Sequence, residues 1–186
     1  GADELRAMAV AAVRAAQSGA GSGADAAASL SGGVIFYRPD ISFVKKWSLD
    51  LPLAWAYCGY KTPTPDVIRR VAAFRRQEPK LATDLFRQIG RCVEEGRDAV
   101  QGNDLERLGR VMNVHQGLLG ALGVSNADCE ALVYGMRVDA GILGSKISGS
   151  GLGDGVVGLG RMNAWTLPYE QRALNVETEG LAVERL

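Results

Sequence analysis

The sequence predicts an α+β fold: an antiparallel sheet with helices packed on one face, preceded by an N-terminal helix and further strands. Three observations carry this prediction. Strand-like runs cluster near the two ends of the chain, while the middle reads as helix. Several of those runs alternate apolar with polar residues, which leaves one sheet face partly solvated, as in antiparallel sheets. The 186 residues are 47% hydrophobic and 23% charged, enough to bury a core without disulfides or metals.

The first element is a helix over 3–17, DELRAMAVAAVRAAQ, in which Leu5, Met8, Ala9, Ala12, Val13 and Ala16 recur at helical spacing. Gly19, Gly21 and Gly23 break it. VIFYR, at 34–38, is a β-branched and aromatic run and predicts a strand. SFVKKWSL and LAWAYCGYK predict two more, separated by a turn at Asp50-Leu51-Pro52. Thr64-Pro65-Asp66 then supplies an N-cap, a first-turn proline and an acidic residue in order. The helix they open is expected to reach Glu78, where Pro79 stops it. A second helix is expected over 81–100. Asn103, with Glu106 three residues on, caps a third, whose Leu105, Leu108, Met112, Leu119 and Leu122 face a core. Gly123 ends that helix. Ser125 and Asp128 form another capping box, opening a helix to Val138. AGILGSKIS and GVVGLG return to strand character, and the tail ALNVETEGLAVERL predicts a last strand or two.

Composition narrows the function classes. Lys plus Arg and Asp plus Glu are both 21, so the net charge is zero. That balance argues against a general nucleic-acid or anionic-membrane binder. No apolar stretch approaches eighteen residues, and no signal segment opens the chain. Cys58, Cys92 and Cys129 form no CxxC pair, and His115 is the single histidine. A Cys/His metal site therefore lacks material, and reduced, mostly buried thiols in a cytoplasmic protein are expected. The chain opens Gly1-Ala2-Asp3 with no methionine, the expectation being a piece of a longer protein.

The stretch with most chemical content is KISGSGLGDGVVGLG, 146–160. A dinucleotide fingerprint needs G-x-G-x-x-G between strand and helix; Gly149 and Gly151 begin one, but Asp154 holds the third glycine position and a strand follows. A P-loop needs Lys after its glycines, and Lys146 precedes them. Two readings remain: a glycine-rich hairpin, or a nest of backbone N–H groups open to an anion.

SKISGSGLGDGVVGLG resembles the third conserved motif of the GHMP kinases, in the Lys-x-Thr/Ser-Gly-Ala/Ser-Gly-x-Gly form of the mevalonate kinase branch. Lys146, Ser148, Gly149, Ser150, Gly151 and Gly153 fall on that pattern. MNVHQGLLGALGVSNADCEAL is similar to the branch's helix pair joined by Leu-Gly-Val-Ser, and GSGADAAASLSGGVIFYR resembles its Ser-Gly-x-Asp substrate loop. CGYKTPTPDVIRRV is similar to a Thr/Ser-rich turn that opens a helix near the substrate.

The resemblance implies a ferredoxin-like C-terminal domain over 51–186, with 1–50 completing the N-terminal domain of a full kinase. It implies ATP and Mg²⁺ as cofactors and a small hydroxy acid as substrate, phosphorylated on a hydroxyl. Mevalonate is the first expectation; a phosphomevalonate kinase or a non-catalytic binding module are the alternatives. Asp25 falls on the family's candidate base, with Ser22 and Gly23 beside it in the substrate loop. Taken alone, Asp25 also reads as a helix cap after a glycine turn. Lys61, Thr62 and Thr64 are candidates for substrate carboxylate or phosphate, or else an N-cap beside a solvated lysine. Lys146 is either a phosphate contact or an exposed lysine before a turn. His115 reads as packing or surface, and Arg69, Arg70, Arg75 and Arg76 as a solvated helix face. The family's earlier Pro-x-x-x-Gly-Leu-Gly-Ser-Ser loop has no counterpart in these residues. The chain is therefore expected to need the N-terminal half of the kinase as partner, to transfer little or no phosphate alone, and to have homodimerisation open to it.

Overall fold

A computed structural model describes residues 2–16, 19, 21–38, 43–164 and 168–182. The chain divides into two compact units, one of residues 1–51 with 175–186 and one of residues 52–174.

In the first unit, α1 (Ala2–Ala16) and the short α2 (Ala24–Ser31) precede β1 (Val34–Arg38) and β2 (Phe43–Trp47). The two strands pair antiparallel, with Val34 opposite Trp47 and Arg38 opposite Phe43. Gly23 starts α2 from a left-handed conformation. A side chain at Gly23 would strike Val10 of α1, so the glycine lets the two helices approach closely. Among the described residues, the tail adds no strand to this pair. Its backbone is taken up by the end of α2: Gly33 N–H donates to Glu177 O at 2.7 Å and Leu181 N–H to Leu30 O at 3.2 Å.

The second unit holds β3 (Pro52–Tyr57), α3 (Thr64–Gln77), α4 (Pro79–Gln101), α5 (Leu105–Ala121), α6 (Ala127–Arg137), β4 (Ile142–Ser148) and β5 (Gly155–Gly160). Its sheet is completed by β6 (Glu170–Asn175), in the order β4-β5-β3-β6. Both β3 and β4 pair antiparallel with β5. The expected antiparallel sheet with helices on one face is therefore found. Ala54 and Ala56 of β3, Val156 of β5 and Ile147 of β4 form one buried face, closed by Cys129, Leu132, Val133 and Met136 of α6. Small alanines in β3 leave room for Leu132 and Met136. Of the tail, only 173–175 is strand, within β6; the rest is tied down by α2 or, at 183–186, lies outside the described residues.

Helix α5 lies along the outer edge of β4. Gly109 and Gly144 make the crossing possible: a Cβ on Gly144 would sit 2.1 Å from Gly109 O. Farther along, Asn113 Oδ1 accepts from Ser145 N–H at 3.0 Å and Gln116 Oε1 from Ile147 N–H at 2.9 Å. Two side-chain amides thus satisfy edge N–H groups that would otherwise invite another strand.

Four expected helix ends are corrected. Thr64 is not the N-cap of α3; Pro63 holds that place, and the Thr64 hydroxyl lies 3.5 Å from Ser150 Oγ instead. Pro79 does not merely stop α3 but opens α4 as its first residue, where its missing N–H costs nothing. Asn103 takes a left-handed turn (φ 51°), and Asp104 caps α5 by accepting from Arg107 N–H at 2.9 Å. Asn126, not Ser125, caps α6 through Cys129 N–H, because the Ser125 hydroxyl is committed to Glu130 at 2.6 Å.

Candidate functional site

The glycine loop, residues 149–154, joins β4 to β5. Five of its six residues have positive φ, including Leu152 (56°) and Asp154 (66°). Such a run turns successive N–H groups toward one side and makes an anion-binding concavity. The far half of the loop is fastened. Leu152 N–H donates to Val124 O at 2.9 Å, Gly153 N–H to Cys129 Sγ at 3.3 Å, and Asp154 N–H to Tyr60 O at 2.7 Å. Thr62 Oγ1 donates to Leu152 O at 2.5 Å. A Cβ on Gly151 would stand 2.1 Å from Val124 O, so the loop rests directly on the α5–α6 turn. The near half is different: among the described residues, the N–H groups of Gly149, Ser150 and Gly151 have no partner.

Two helix N-termini abut this loop. Helix α3 begins at Thr64, whose hydroxyl approaches Ser150 Oγ, and the first turn of α6 reaches Gly153 through Cys129. Each helix start carries about half a positive charge. Nearby acids are already engaged. Asp128 accepts from Tyr60 Oη at 2.7 Å, which raises the Tyr60 pKa, and Asp154 pairs with Lys61 at 2.7 Å. The near half of the loop is thus a pre-formed set of unpaired donors in favourable potential.

The sequence-derived candidates fall as follows. Gly149, Ser150, Gly151 and Gly153 form the loop, and Lys61 and Thr62 are brought to it, Thr62 as a tie on a loop carbonyl. Ser148 ends β4. Lys146 is not an exposed lysine before a turn. It lies within β4 with Nζ donating to Ile147 O at 2.5 Å, and burial pushes its pKa down to about 8. His115 is packed, its pKa driven down to about 4 by burial and then by the charge of Lys146. The arginines of α3 are exposed, as expected.

Ser22, Gly23 and Asp25 belong to the other unit. Gly23 occupies the N-cap position of α2 and Asp25 the second helical residue, so Asp25 is not the cap. Its carboxylate is exposed and accepts from Ala26 N–H at 2.9 Å; Ser22 Oγ accepts from Ala24 N–H at 3.3 Å.

Sequence reasoning missed Tyr60, Val124, Cys129 and Gln116. Their contribution is through main-chain or buried contacts that spacing does not reveal. Cys58 and Cys129, which it expected reduced, are free thiols 3.9 Å apart; burial, with Cys129 next, pushes the Cys58 thiol up to about 12. Among the described residues no group of three His, Cys, Asp or Glu is placed to hold a metal, and no helix is long and apolar enough to cross a membrane.

Residues 97–178 match the family described as GHMP kinases C terminal. Over 140 residues the chain is 39% identical to the mevalonate kinase of Pyrococcus furiosus, covering 73% of this chain and 41% of that enzyme. The crystal structure of L. major mevalonate kinase in complex with R-mevalonate superposes with a TM-score of 0.72 at 31% identity, covering 81% of this chain and 47% of that one. The Methanococcus jannaschii mevalonate kinase shares the fold at a TM-score of 0.71 and 16% identity, covering 97% of this chain and 57% of that one. With this sheet, this loop and these matches, the chain belongs to the GHMP kinase superfamily. Within it, the chain is most like the C-terminal portion of a mevalonate kinase, and it spans less than half the length of the curated relatives it matches.

Proposed function

We propose that this chain is the C-terminal portion of a kinase that phosphorylates the primary hydroxyl of mevalonate to give 5-phosphomevalonate. The observation that carries the reading is the row of unpaired N–H groups at Gly149, Ser150 and Gly151, set between two helix N-termini. ATP supplies the transferable phosphoryl group; the protein's part is positioning and charge neutralisation. In this reading the three amides and the Ser150 hydroxyl hold phosphate oxygens. Lys146, charged over most of its population at neutral pH, adds positive potential from β4, and Ser148 lies where the strand meets the loop. Asp25 acts as the base: its carboxylate orients the substrate hydroxyl and takes its proton as the bond to the γ-phosphorus forms, the bond from that phosphorus to the bridging oxygen breaks and ADP leaves. Ser22 and Gly23 shape the substrate loop, and Lys61 and Thr62 face the substrate's carboxylate side. Mg²⁺ would arrive with the nucleotide, held largely by phosphate oxygens; no three-residue cage for it exists among the described residues.

The unit of residues 1–51 with 175–186 then completes the kinase's N-terminal domain and residues 52–174 form its C-terminal domain, with the rest supplied by further sequence. The chain alone is expected to bind phosphates weakly and to transfer little. NMR titration of the chain with inorganic pyrophosphate tests the loop's role. Shifts concentrated at the Gly149, Ser150 and Gly151 amides, and lost in Gly151→Ala, are expected. Saturation without movement of those amides, or tight Mg-dependent ATP binding by the chain alone, contradicts the reading.

A further inference from the structure

Gln116 is 2% exposed and spends both ends of its amide. Its Oε1 accepts from Ile147 N–H at 2.9 Å, two residues before the glycine loop. Its Nε2 donates to Ser125 Oγ at 3.2 Å and Glu130 Oε1 at 3.0 Å, and Ser125 Oγ in turn donates to Glu130 Oε1 at 2.6 Å. Ser125 follows Val124, the residue whose carbonyl receives Leu152 N–H and lies against Gly151. One buried side chain therefore grips the strand that leads into the loop and the turn on which the loop rests. With the Gln116 amide oxygen and amide nitrogen both engaged by neighbours, the amide has one orientation, and the spacing between strand and turn is set.

We infer that Gln116 is a positioning residue for the glycine loop, holding the Val124–Ser125 turn and the end of β4 at the separation that leaves the Gly149–Gly151 amides facing outward. Its consequence for phosphate binding rests on the proposed function, but the positioning itself does not. Asn113 is a natural control. It caps the same strand edge one turn earlier, through Ser145 N–H, and has no bond to the α5–α6 turn. If Gln116 served only to cap the edge of β4, the two residues would be equivalent.

The test is residue-resolved amide hydrogen exchange in the 186-residue chain, with no nucleotide or phosphate present, comparing Gln116→Ala, Ser125→Ala and Asn113→Ala. The expected result is faster exchange at Leu152 and Gly153 in Gln116→Ala, by about tenfold relative to Asn113→Ala. Ser125→Ala, which keeps the bond to Ile147, is expected to move the same two amides by a smaller factor. It decides the matter if Gln116→Ala does not fold. Equal exchange at Leu152 and Gly153 in the Gln116 or Ser125 variant and in Asn113→Ala overturns the proposal. Because no phosphate is used, a failed pyrophosphate titration sinks the phosphate reading without touching this result.

Discussion

Lys146 is the residue whose surroundings least resemble what its neighbours in sequence suggest. It is an ammonium on a sheet strand, near a packed histidine, with a main-chain carbonyl as its hydrogen-bond partner. Burial lowers its folded-state pKa to about 8 from 10.5. The unfolded chain therefore binds more protons between those values, so stability should rise with pH across that window. Replacing the charge removes the effect. In Lys146→Met, the denaturation midpoint should exceed wild type near pH 7, with the difference shrinking as pH rises from 8 toward 10.5. A midpoint difference that stays constant over that range contradicts the burial argument. Near the loop, Gly155 shows how packing selects a residue: a Cβ there would lie 2.2 Å from Trp55 Nε1, where only glycine fits.

At the scale of elements, order and type were legible because long helical periods and β-branched runs are strong local signals. Helix ends were not. Asn103 and Asp104, or Ser125 and Asn126, are adjacent short polar residues with equal capping chemistry, and tertiary partners decide between them. Glu130 claims the Ser125 hydroxyl and leaves Asn126 to cap. The glycine loop was legible as a motif, since Gly149, Gly151 and Gly153 all take positive φ. Its mounting was invisible, because Val124 O, Tyr60 O and Cys129 Sγ reach it across long sequence separations. The seat of α5 on β4 was hidden for the same reason. Gly109 and Gly144 look unremarkable in sequence, yet a side chain on either would run into facing backbone at the crossing, Leu143 O for Gly109 and Gly109 O for Gly144. Gly144→Ala should force the elements apart and cost about 1–3 kcal/mol, read as a lower midpoint in urea. An unchanged midpoint would mean the crossing is looser than the contacts indicate.

For the whole molecule, the proposed function divides the chemistry between the two units. The Gly23–Asp25 loop belongs to one, and the glycine loop to the other. In the proposed kinase, the first contributes the proton acceptor and the second the phosphate cradle, while the family's other phosphate loop lies in sequence beyond this chain. That division fits the match to the Pyrococcus furiosus mevalonate kinase, which covers only 41% of that enzyme's length. It also makes Asp25 the decisive residue, since it is the one proton acceptor in the proposed site. The most direct measurement is steady-state phosphorylation of mevalonate by the complete kinase carrying Asp25→Asn, beside wild type. The account predicts a fall in kcat of about 100-fold or more, with KM for ATP little changed. Turnover close to wild type would remove Asp25 as the base and contradict the account.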